Sequence, residues 1–164
     1  MNNVKPKLVI KEIRGFKDPL PFASTVYNNF GYLSKDPEAQ HNMNEILRLF
    51  RDENFVGFLV YLGNKIVAYL VGEKKVLNDG RMVFYITYIF VSNKFRGKKI
   101  GTQLIGRLIN RCKDWGIKFI LLTCDVKNEK AYTWYKKIGF QEDPLLNSNI
   151  EGRPRTNQVL IYYV

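Results

Sequence analysis

After the run from Met82 to Val91, the spacing of apolar residues changes from that of a strand to that of a helix, and this change most restricts the possible folds. That run is β-branched and aromatic, which is typical of a strand. The next apolar residues share one helical face, namely Ile100, Leu104, Leu108, Cys112 and Trp115. The uninterrupted apolar run from Phe119 to Cys124 then predicts a strand covered on both faces. These segments predict two parallel strands joined by a helical crossover, with Gly116 ending the helix.

A strand and two short helices are predicted at the start of the chain. Lys7 to Arg14 alternates between apolar and polar residues, as a half-buried strand does. Pro19 to Leu33 is predicted to be helical, with Asp18 as the cap and a proline in the first turn. Asn42 to Arg51 has apolar residues at three- and four-residue spacing, which predicts a second helix.

The segments that follow predict an antiparallel meander. Phe55 to Leu62 and Lys65 to Val71 are rich in β-branched and aromatic residues, and Gly63-Asn64 between them indicates a tight hairpin. A second hairpin is predicted at Asn78-Asp79-Gly80. It leads into the long strand that precedes the crossover helix.

The last part of the chain predicts one helix and two strands. Asn128 can cap a helix from Glu129 to Ile138, and Gly139 is suited to end it. The two strands begin at Phe140 and at Val159, the second running to Val164, and the polar segment Pro144 to Gln158 separates them.

The order of these elements predicts the fold class. It is an α/β fold with a mixed sheet, in which about seven mostly antiparallel strands contain one βαβ crossover and are flanked by about four helices. With 164 residues, of which 46% are hydrophobic and 25% charged, the chain fits one globular domain over residues 1–164.

The positive charge is large and partly clustered. The formal net charge is +11, which attracts phosphates, nucleic acid or acidic lipid without choosing among them. One stretch without acidic residues holds Lys94, Arg96, Lys98, Lys99, Arg107, Arg111 and Lys113. This clustering favours a local anion site over a generally basic surface.

The cysteine content and the N-terminal sequence indicate in which cellular compartment we expect the protein. Cys112 and Cys124 fit neither a disulfide framework nor a zinc site, so we expect both to be reduced and buried. The N-terminal residues contain no apolar signal region, and no stretch reaches the ~20 apolar residues that span a bilayer. We therefore expect a soluble intracellular protein, in the cytoplasm or the nucleus, with no membrane partner.

The junction between the long strand and the crossover helix carries the most chemical information. It reads Ser92-Asn93-Lys94-Phe95, then Arg96-Gly97-Lys98-Lys99-Ile100-Gly101. A helix N-terminus presents unpaired N–H groups and a partial positive charge, and glycines let the backbone approach a diphosphate closely. The junction matches neither the Walker pattern nor the dinucleotide fingerprint. Taken alone, it fits a pyrophosphate site and an ordinary basic helix start equally well.

A second segment resolves this choice. Arg96-Gly97-Lys98-Lys99-Ile100-Gly101, followed by Asn128-Glu129-Lys130-Ala131-Tyr132-Thr133-Trp134-Tyr135-Lys136-Lys137-Ile138-Gly139-Phe140, resembles the GCN5-related N-acetyltransferase (GNAT) superfamily. The first part is similar to its Arg/Gln-x-x-Gly-x-Gly/Ala cofactor signature and the second to its Asn-x-x-Ala-x-x-x-Tyr-x-x-x-Gly-Phe segment. The resemblance covers Phe84 to Phe140.

The resemblance implies acetyl-coenzyme A as cosubstrate and no metal. Acetyl-coenzyme A would lie between the strand ending at Val91 and the strand ending at Cys124, and the amide of Ile89 would polarise the thioester carbonyl. The implied cofactor-binding residues are Ile89, Phe90, Val91, Arg96, Gly97, Lys98, Lys99, Ile100, Gly101, Thr102, Asn128 and Tyr135. Lys99 replaces the first signature glycine. If its φ angle is negative, its amide can still donate, and we expect weakened or reshaped pyrophosphate contacts instead of lost ones.

The same resemblance implies catalytic roles. Tyr135 occupies the position of the general acid that protonates the departing thiolate, which suits a phenol with a pKa near 10. Tyr85 stands where many members carry a glutamate, and it is similar to a tyrosine of some N-terminal acetyltransferases that works with a histidine on the next strand. Thr123 is the corresponding residue here. Asp125 is either a replacement base or a turn residue.

Other acidic and histidine side chains are weaker candidates for the base. Glu73, Glu142 and Asp143 are expected to be solvated charges at strand ends, and His41 a surface helix residue.

The expected function is acetyl transfer to a primary amine by direct attack in a ternary complex. The amine can be a peptide N-terminus, a protein lysine or a small molecule, and Pro19 to Arg51 with Pro144 to Gln158 would shape its site. A non-catalytic acyl-coenzyme-A-binding domain is the alternative. No nucleic-acid partner is expected, although the net charge alone would suit one. The chain is expected to be a monomer or a homodimer.

Overall fold

A computed structural model describes residues 6–35, 41–147 and 157–164 of the chain. Its internal contacts group the chain into two compact units. The first comprises Met1–Glu73 with Tyr88–Leu104, and the second comprises Lys74–Thr87 with Ile105–Val164.

The first unit contains the N-terminal helices and strands, except for the last residues of the third strand, from Lys74 onward. Two strands, β1 (Leu8–Ile13) and β2 (Phe55–Leu62), pair antiparallel, with Leu8 opposite Leu62 and Ile13 opposite Gly57. The strand β3 (Lys65–Val76) pairs antiparallel with β2 through the predicted hairpin, where Gly63 has a φ of 61°. The helices are α1 (Leu20–Asn29) and α2 (Met43–Arg51).

The ends of both helices follow from local chemistry. The Asn42 side chain accepts the Glu45 N–H at 2.9 Å, so the predicted cap of α2 is confirmed. Asp18 accepts the Leu20 N–H at 3.3 Å before α1. The prediction that this helix reaches Leu33 was wrong, because Phe30 leaves helical geometry with φ −112° and a 3₁₀ turn follows.

Aromatic rings dominate the core of the first unit. Phe22 of α1 stacks on Phe50 of α2 with ring centroids 5.2 Å apart and meets Tyr69 of β3 edge-on at 5.0 Å. Phe55 lies 5.3 Å from Phe50 in the same cluster. The core therefore fixes both helices against the strands.

The second unit contains the C-terminal half. The strand β4 (Met82–Val91) contributes its first residues here, and the helix α3 (Ile100–Trp115) contributes its longer C-terminal part. The remaining elements are β5 (Phe119–Asp125), α4 (Glu129–Ile138), β6 (Gln141–Glu142), α5 (Pro144–Asn147) and β7 (Asn157–Tyr163).

The strand pairing confirms the predicted fold class. Across the described residues the sheet has seven strands in the order β1-β2-β3-β4-β5-β7-β6 and is flanked by helices. β4 and β5 are parallel, with Val83 opposite Phe119 and Tyr85 opposite Leu121, whereas β5 with β7 and β6 with β7 are antiparallel. The crossover through α3 is therefore the predicted βαβ unit. The buried face of α3 contains Ile100, Leu104, Leu108 and Cys112.

Several boundaries differ from the sequence prediction. β3 continues to Val76 instead of ending at Val71, and β6 is only two residues long. The predicted polar segment after Pro144 begins with the short helix α5. The Asn147 side chain holds this helix to β7, since it donates to the Val159 carbonyl at 3.0 Å and accepts the Val159 N–H at 2.9 Å.

Candidate functional site

The loop before α3 has an unusual backbone. Gly97 has a φ of 76° and Lys99 a φ of 61°, and Lys99 is the one residue other than glycine with positive φ in the described part of the chain. The condition of a negative φ, under which reshaped contacts were expected, is therefore not met at Lys99. The lysine adopts the left-handed geometry that the signature glycine favours, at a cost of roughly 1–2 kcal/mol. The loop thus keeps the shape that a glycine would give it.

The start of α3 presents backbone donors. Its first helical hydrogen bond joins the Gln103 N–H to the Lys99 carbonyl at 3.0 Å. The amides of Ile100, Gly101 and Thr102 therefore have no acceptor within the helix, which is the arrangement that binds phosphate oxygens. The exposed side chains of Lys98 and Lys99 add positive charge beside these amides. The residues present fit a diphosphate.

Arg96 is tied into the loop on both its backbone and its side chain. Its Nε donates to the Val91 carbonyl at 3.0 Å, and its backbone N–H donates to the Asn93 carbonyl at 3.4 Å. The guanidinium therefore covers the end of β4, where the resemblance implies that Val91 binds the cofactor. Ile89 and Phe90, the other implied contacts on this strand, are half-buried.

The helix α4 is fixed at both ends by the residues that the sequence singles out. The Asn128 side chain accepts the Ala131 N–H at 3.4 Å. At the other end Gly139 has a φ of 116°, and the Phe140 N–H donates to the Tyr135 carbonyl at 3.0 Å. These bonds form a Schellman-type C-terminus, so both predicted caps are confirmed.

Tyr135 lies on the buried face of α4. Its side chain is 9% exposed, and its ring centroid lies 5.1 Å from that of Trp134 and 5.7 Å from that of Phe140. Aromatic contacts on two sides hold the ring in one orientation. The role of Tyr135 as general acid stays a prediction.

Tyr85 and Thr123 join β4 to β5 through their hydroxyl groups. The two oxygens are 2.6 Å apart. Burial raises the pKa of Tyr85 above its ordinary value, and the hydrogen bond to Thr123 opposes that rise. The tyrosine is therefore a neutral phenol at physiological pH. The resemblance has a histidine where this chain has Thr123, and in this structure the threonine hydroxyl bonds to the phenol.

Asp125 is the last residue of β5 and accepts hydrogen bonds from the turn that follows. Its Oδ1 accepts the Lys127 N–H at 2.9 Å, and its carbonyl accepts the Asn128 N–H at 3.0 Å. The carboxylate is exposed at the end of β5, two residues after Thr123 and on the same face of the strand. The catalytic role of Asp125 stays a prediction.

The weaker base candidates have different environments. Asp143 was expected to be solvated, which was wrong, because it is 1% exposed and bonded to Arg81. Glu142 is exposed and accepts a hydrogen bond from the Tyr132 hydroxyl. Glu73 is half-buried at the pairing position opposite Phe55.

His41 is buried, so its assignment to a surface helix was wrong. It lies outside α2 and is 5% exposed. Its Nε2 is 3.3 Å from the Tyr27 carbonyl and its Nδ1 is 3.1 Å from the Tyr88 hydroxyl. Because a carbonyl only accepts, Nε2 carries the proton in the neutral ring and Nδ1 accepts from Tyr88. The ring thus links α1 to β4 within the first unit.

The two cysteines, Cys112 and Cys124, are free and buried, as predicted. Within residues 6–35, 41–147 and 157–164, no group of three or more His, Cys, Asp or Glu residues is placed to hold a metal ion. Nor does any helix in these ranges have the length and apolar character needed to cross a membrane.

Comparison with known proteins identifies the family. The model of the acetyltransferase (GNAT) family matches residues 22–140, which is well over half of the chain. The chain belongs to the GNAT acetyltransferase family. The matched residues include the loop before α3 and the helix that carries Tyr135.

Two curated relatives of this GNAT chain match shorter stretches. An uncharacterized N-acetyltransferase of Methanocaldococcus jannaschii is 42% identical over 64 residues, which are 39% of this chain and 28% of the relative. The glucosamine 6-phosphate N-acetyltransferase of Arabidopsis thaliana is 33% identical over 67 residues, which are 41% of this chain and 43% of the relative. The chain thus spans less than half the length of these relatives.

A solved structure agrees with the GNAT fold over almost the whole chain. It is Arabidopsis thaliana Naa50 in complex with the bisubstrate analogue CoA-Ac-MVNAL, with a TM-score of 0.65 and 22% identity. The similarity covers 94% of this chain and 97% of that one. At this identity the match supports the shared fold.

Proposed function

We propose that this chain is an acetyl-coenzyme-A-dependent N-acetyltransferase that acts on a primary amine by direct attack in a ternary complex. The observation that carries this proposal is the GNAT family match over residues 22–140, which includes both the phosphate-binding loop and Tyr135. Acetyl-coenzyme A would supply the activated acetyl group as a thioester. In this proposal residues 1–164 act as a single N-acetyltransferase domain.

The proposed diphosphate contacts come from the start of α3. The amides of Ile100, Gly101 and Thr102 point out of the helix end, and Gly97 and Lys99 give the loop its left-handed turns. These features support diphosphate binding without help from a metal ion.

The chemical roles are assigned to four groups. Tyr135 donates its phenolic proton to the leaving sulfur, and its buried, aromatic surroundings support a fixed donor. The Ile89 amide donates to the carbonyl oxygen, a contribution that is worth about 3–4 kcal/mol in well-studied oxyanion sites. Tyr85 faces the amine, and Asp125 is the proposed base for its proton.

The acceptor is a primary amine of a peptide N-terminus, a protein lysine or a small molecule. The Naa50 structure contains an analogue that joins coenzyme A to a peptide, and one curated relative is named for a sugar phosphate. These names favour testing peptides and sugar amines first among the three classes.

The decisive experiment measures free coenzyme A thiol released from acetyl-coenzyme A with a panel of peptides, sugar amines and small amines. Burial raises the pKa of Cys112 to about 12 and that of Cys124 to about 11. Both protein thiols therefore stay protonated near neutral pH and add little background to a thiol reagent. No thiol release with any amine, in a protein that also fails to bind acetyl-coenzyme A in calorimetry, would refute the proposal.

A matched pair of variants tests the assignment of the acid. Tyr135→Phe removes the proposed proton donor, and we expect kcat to fall about 100-fold. Tyr132→Phe removes a phenol from the same helix that bonds to Glu142, and we expect little change in turnover. Equal activities of the two variants would exclude Tyr135 as the acid.

A non-catalytic acyl-coenzyme-A-binding domain is the second candidate. Tyr85 stands where many members of the family carry a strand glutamate, and this missing carboxylate base favours the alternative. Calorimetric binding of acetyl-coenzyme A without acetylation of any amine would support it.

A further inference from the structure

The hydroxyl pair of Tyr85 and Thr123 is rigidly placed. The Tyr85 ring packs against a buried cluster that contains Val83, Leu121 and Ile161. Thr123 lies on β5 opposite Val159 of β7, so its backbone is fixed by strand pairing. With both ends held, the distance of 2.6 Å between the oxygens is set by the sheet.

The pair also lies beside the segment that the sequence associates with the acceptor. Leu146 of α5 and Val159 of β7 pack against the same cluster as Tyr85. Thr123 itself is exposed, whereas the Tyr85 ring is half-buried. A polar group from solvent can therefore approach the two hydroxyls from the exposed side of β5.

Acid strength determines which hydroxyl donates. A phenol is a much stronger acid than an aliphatic alcohol, so its O–H is the better donor and the Thr123 oxygen the acceptor. The Lys75 ammonium lies 5.8 Å from the centroid of the Tyr85 ring. Its positive charge makes the phenolic O–H a stronger hydrogen-bond donor. With its hydrogen directed at Thr123, the Tyr85 oxygen keeps its lone pairs for another donor.

We propose that Thr123 is a positioning residue that turns the Tyr85 hydroxyl, so that the phenolic oxygen accepts an N–H of the acceptor amine. The inference rests on the proposed function and deepens it. The amine is thereby oriented while its own lone pair stays free for attack. No bond of Tyr85 or Thr123 is made or broken, and the phenol keeps its proton throughout.

Four variants test the role of Thr123 in steady-state kinetics, namely Thr123→Val, Thr123→Ser, Tyr85→Phe and the double variant of Tyr85→Phe with Thr123→Val. Thr123→Val removes the hydroxyl and keeps the branched shape, and we expect the KM for the amine to rise about 5- to 10-fold, as for one lost hydrogen bond. The KM for acetyl-coenzyme A should not change. Thr123→Ser keeps the hydroxyl and should restore the KM to within about twofold. In the Tyr85→Phe background, Thr123→Val should have no further effect.

A second measurement does not depend on turnover. In protein labelled with ¹³C at the tyrosine ζ carbon, the Tyr85 signal is the one missing from Tyr85→Phe. The Thr123 hydroxyl lowers the pKa of Tyr85 through its hydrogen bond. Because Thr123→Val removes this bond, the pKa of Tyr85 should be higher in the variant than in wild type. The same signal in Thr123→Ser should titrate as in wild type.

The outcomes separate this inference from the proposed function. If wild type turns over amines and Thr123→Val changes neither the KM for the amine nor the Tyr85 titration, the positioning role is overturned and the acetyltransferase assignment stands. If wild type acetylates no amine, the proposed function fails and the positioning role fails with it. A raised KM that Thr123→Ser restores supports both.

Discussion

Arg81 and Asp143 face each other through two parallel hydrogen bonds, from Nη1 to Oδ1 at 3.0 Å and from Nη2 to Oδ2 at 2.8 Å. Asp143 is almost completely buried, and Arg81 also bonds to Asp79 at 2.8 Å. The bonds to Asp143 and Asp79 raise the pKa of Arg81 above its ordinary value, so the guanidinium stays charged. This pair joins the second hairpin to the segment that begins α5.

Removing one member of this pair should destabilise the protein strongly. Asp143→Ala leaves the guanidinium without its buried partner, and we expect the free energy of unfolding to fall by about 3 kcal/mol. Urea unfolding at neutral pH measures this. Asp79→Ala is the control, because Asp79 contacts the same guanidinium from the exposed side, and its effect should be much smaller. Similar losses for both variants would contradict the assignment.

Gly139 combines a left-handed backbone with a close neighbour. Its φ is 116°, and a Cβ at this position would lie 2.9 Å from the Tyr162 ring. We expect Gly139→Ala to lower the free energy of unfolding by about 3 kcal/mol, from backbone strain and overpacking together. Thermal and urea unfolding give this value.

Gly116 provides the matched control for Gly139. It has a φ of 71°, but a Cβ added there would meet no neighbouring atom within 4 Å. Gly116→Ala should therefore cost only the backbone strain of about 1–2 kcal/mol. Replacing Tyr162 with Ala should then bring Gly139→Ala close to this control. An equal cost at the two glycines in the wild-type background would show that the Tyr162 ring moves aside.

Local chemistry made much of the fold predictable from the sequence. The caps at Asn42, Asn128 and Gly139 each depend on residues within five positions of themselves. The crossover around α3 followed from the change in apolar spacing, which reports burial directly. Features that depend on short-range hydrogen bonds and periodicity can therefore be predicted without a structure.

Features that depend on distant residues could not be predicted. The burial of His41 requires Tyr88, which lies 47 positions away, and that of Asp143 requires Arg81, 62 positions away. The bond between Tyr85 and Thr123 depends on the register of two parallel strands. The family resemblance aligned this last pair, but no local pattern indicates that a threonine bonds to the phenol.

The backbone of Lys99 predicts a stabilising substitution. A lysine at φ 61° carries a cost that glycine avoids. We therefore expect Lys99→Gly to raise the free energy of unfolding by about 1 kcal/mol. Lys99→Ala removes the same charge and keeps the Cβ, so it should give no such gain. A gain of equal size in both variants would trace the effect to charge repulsion in the basic loop.

Because Tyr69 is buried, we expect the protein to lose stability at alkaline pH. Its ring is 1% exposed, and its hydroxyl accepts a hydrogen bond from the Asn29 side chain at 2.8 Å. Burial raises the pKa of Tyr69 well above its ordinary value of 10.0. The folded state therefore keeps this proton after the unfolded chain has lost it. The stabilisation is complete below pH 10 and decreases as the pH rises toward the pKa of the folded state.

The slope of the unfolding free energy against pH measures this contribution. Above pH 10, Tyr69 alone should lower the free energy of unfolding by about 1.4 kcal/mol per pH unit. Tyr69→Phe should reduce the slope by this amount, whereas Tyr163→Phe, which removes a half-exposed ring, should change it much less. Urea unfolding in steps from pH 9 to pH 11.5 gives the slopes. If Tyr69→Phe and wild type lose stability in parallel, Tyr69 ionises in the folded protein as readily as in the unfolded chain.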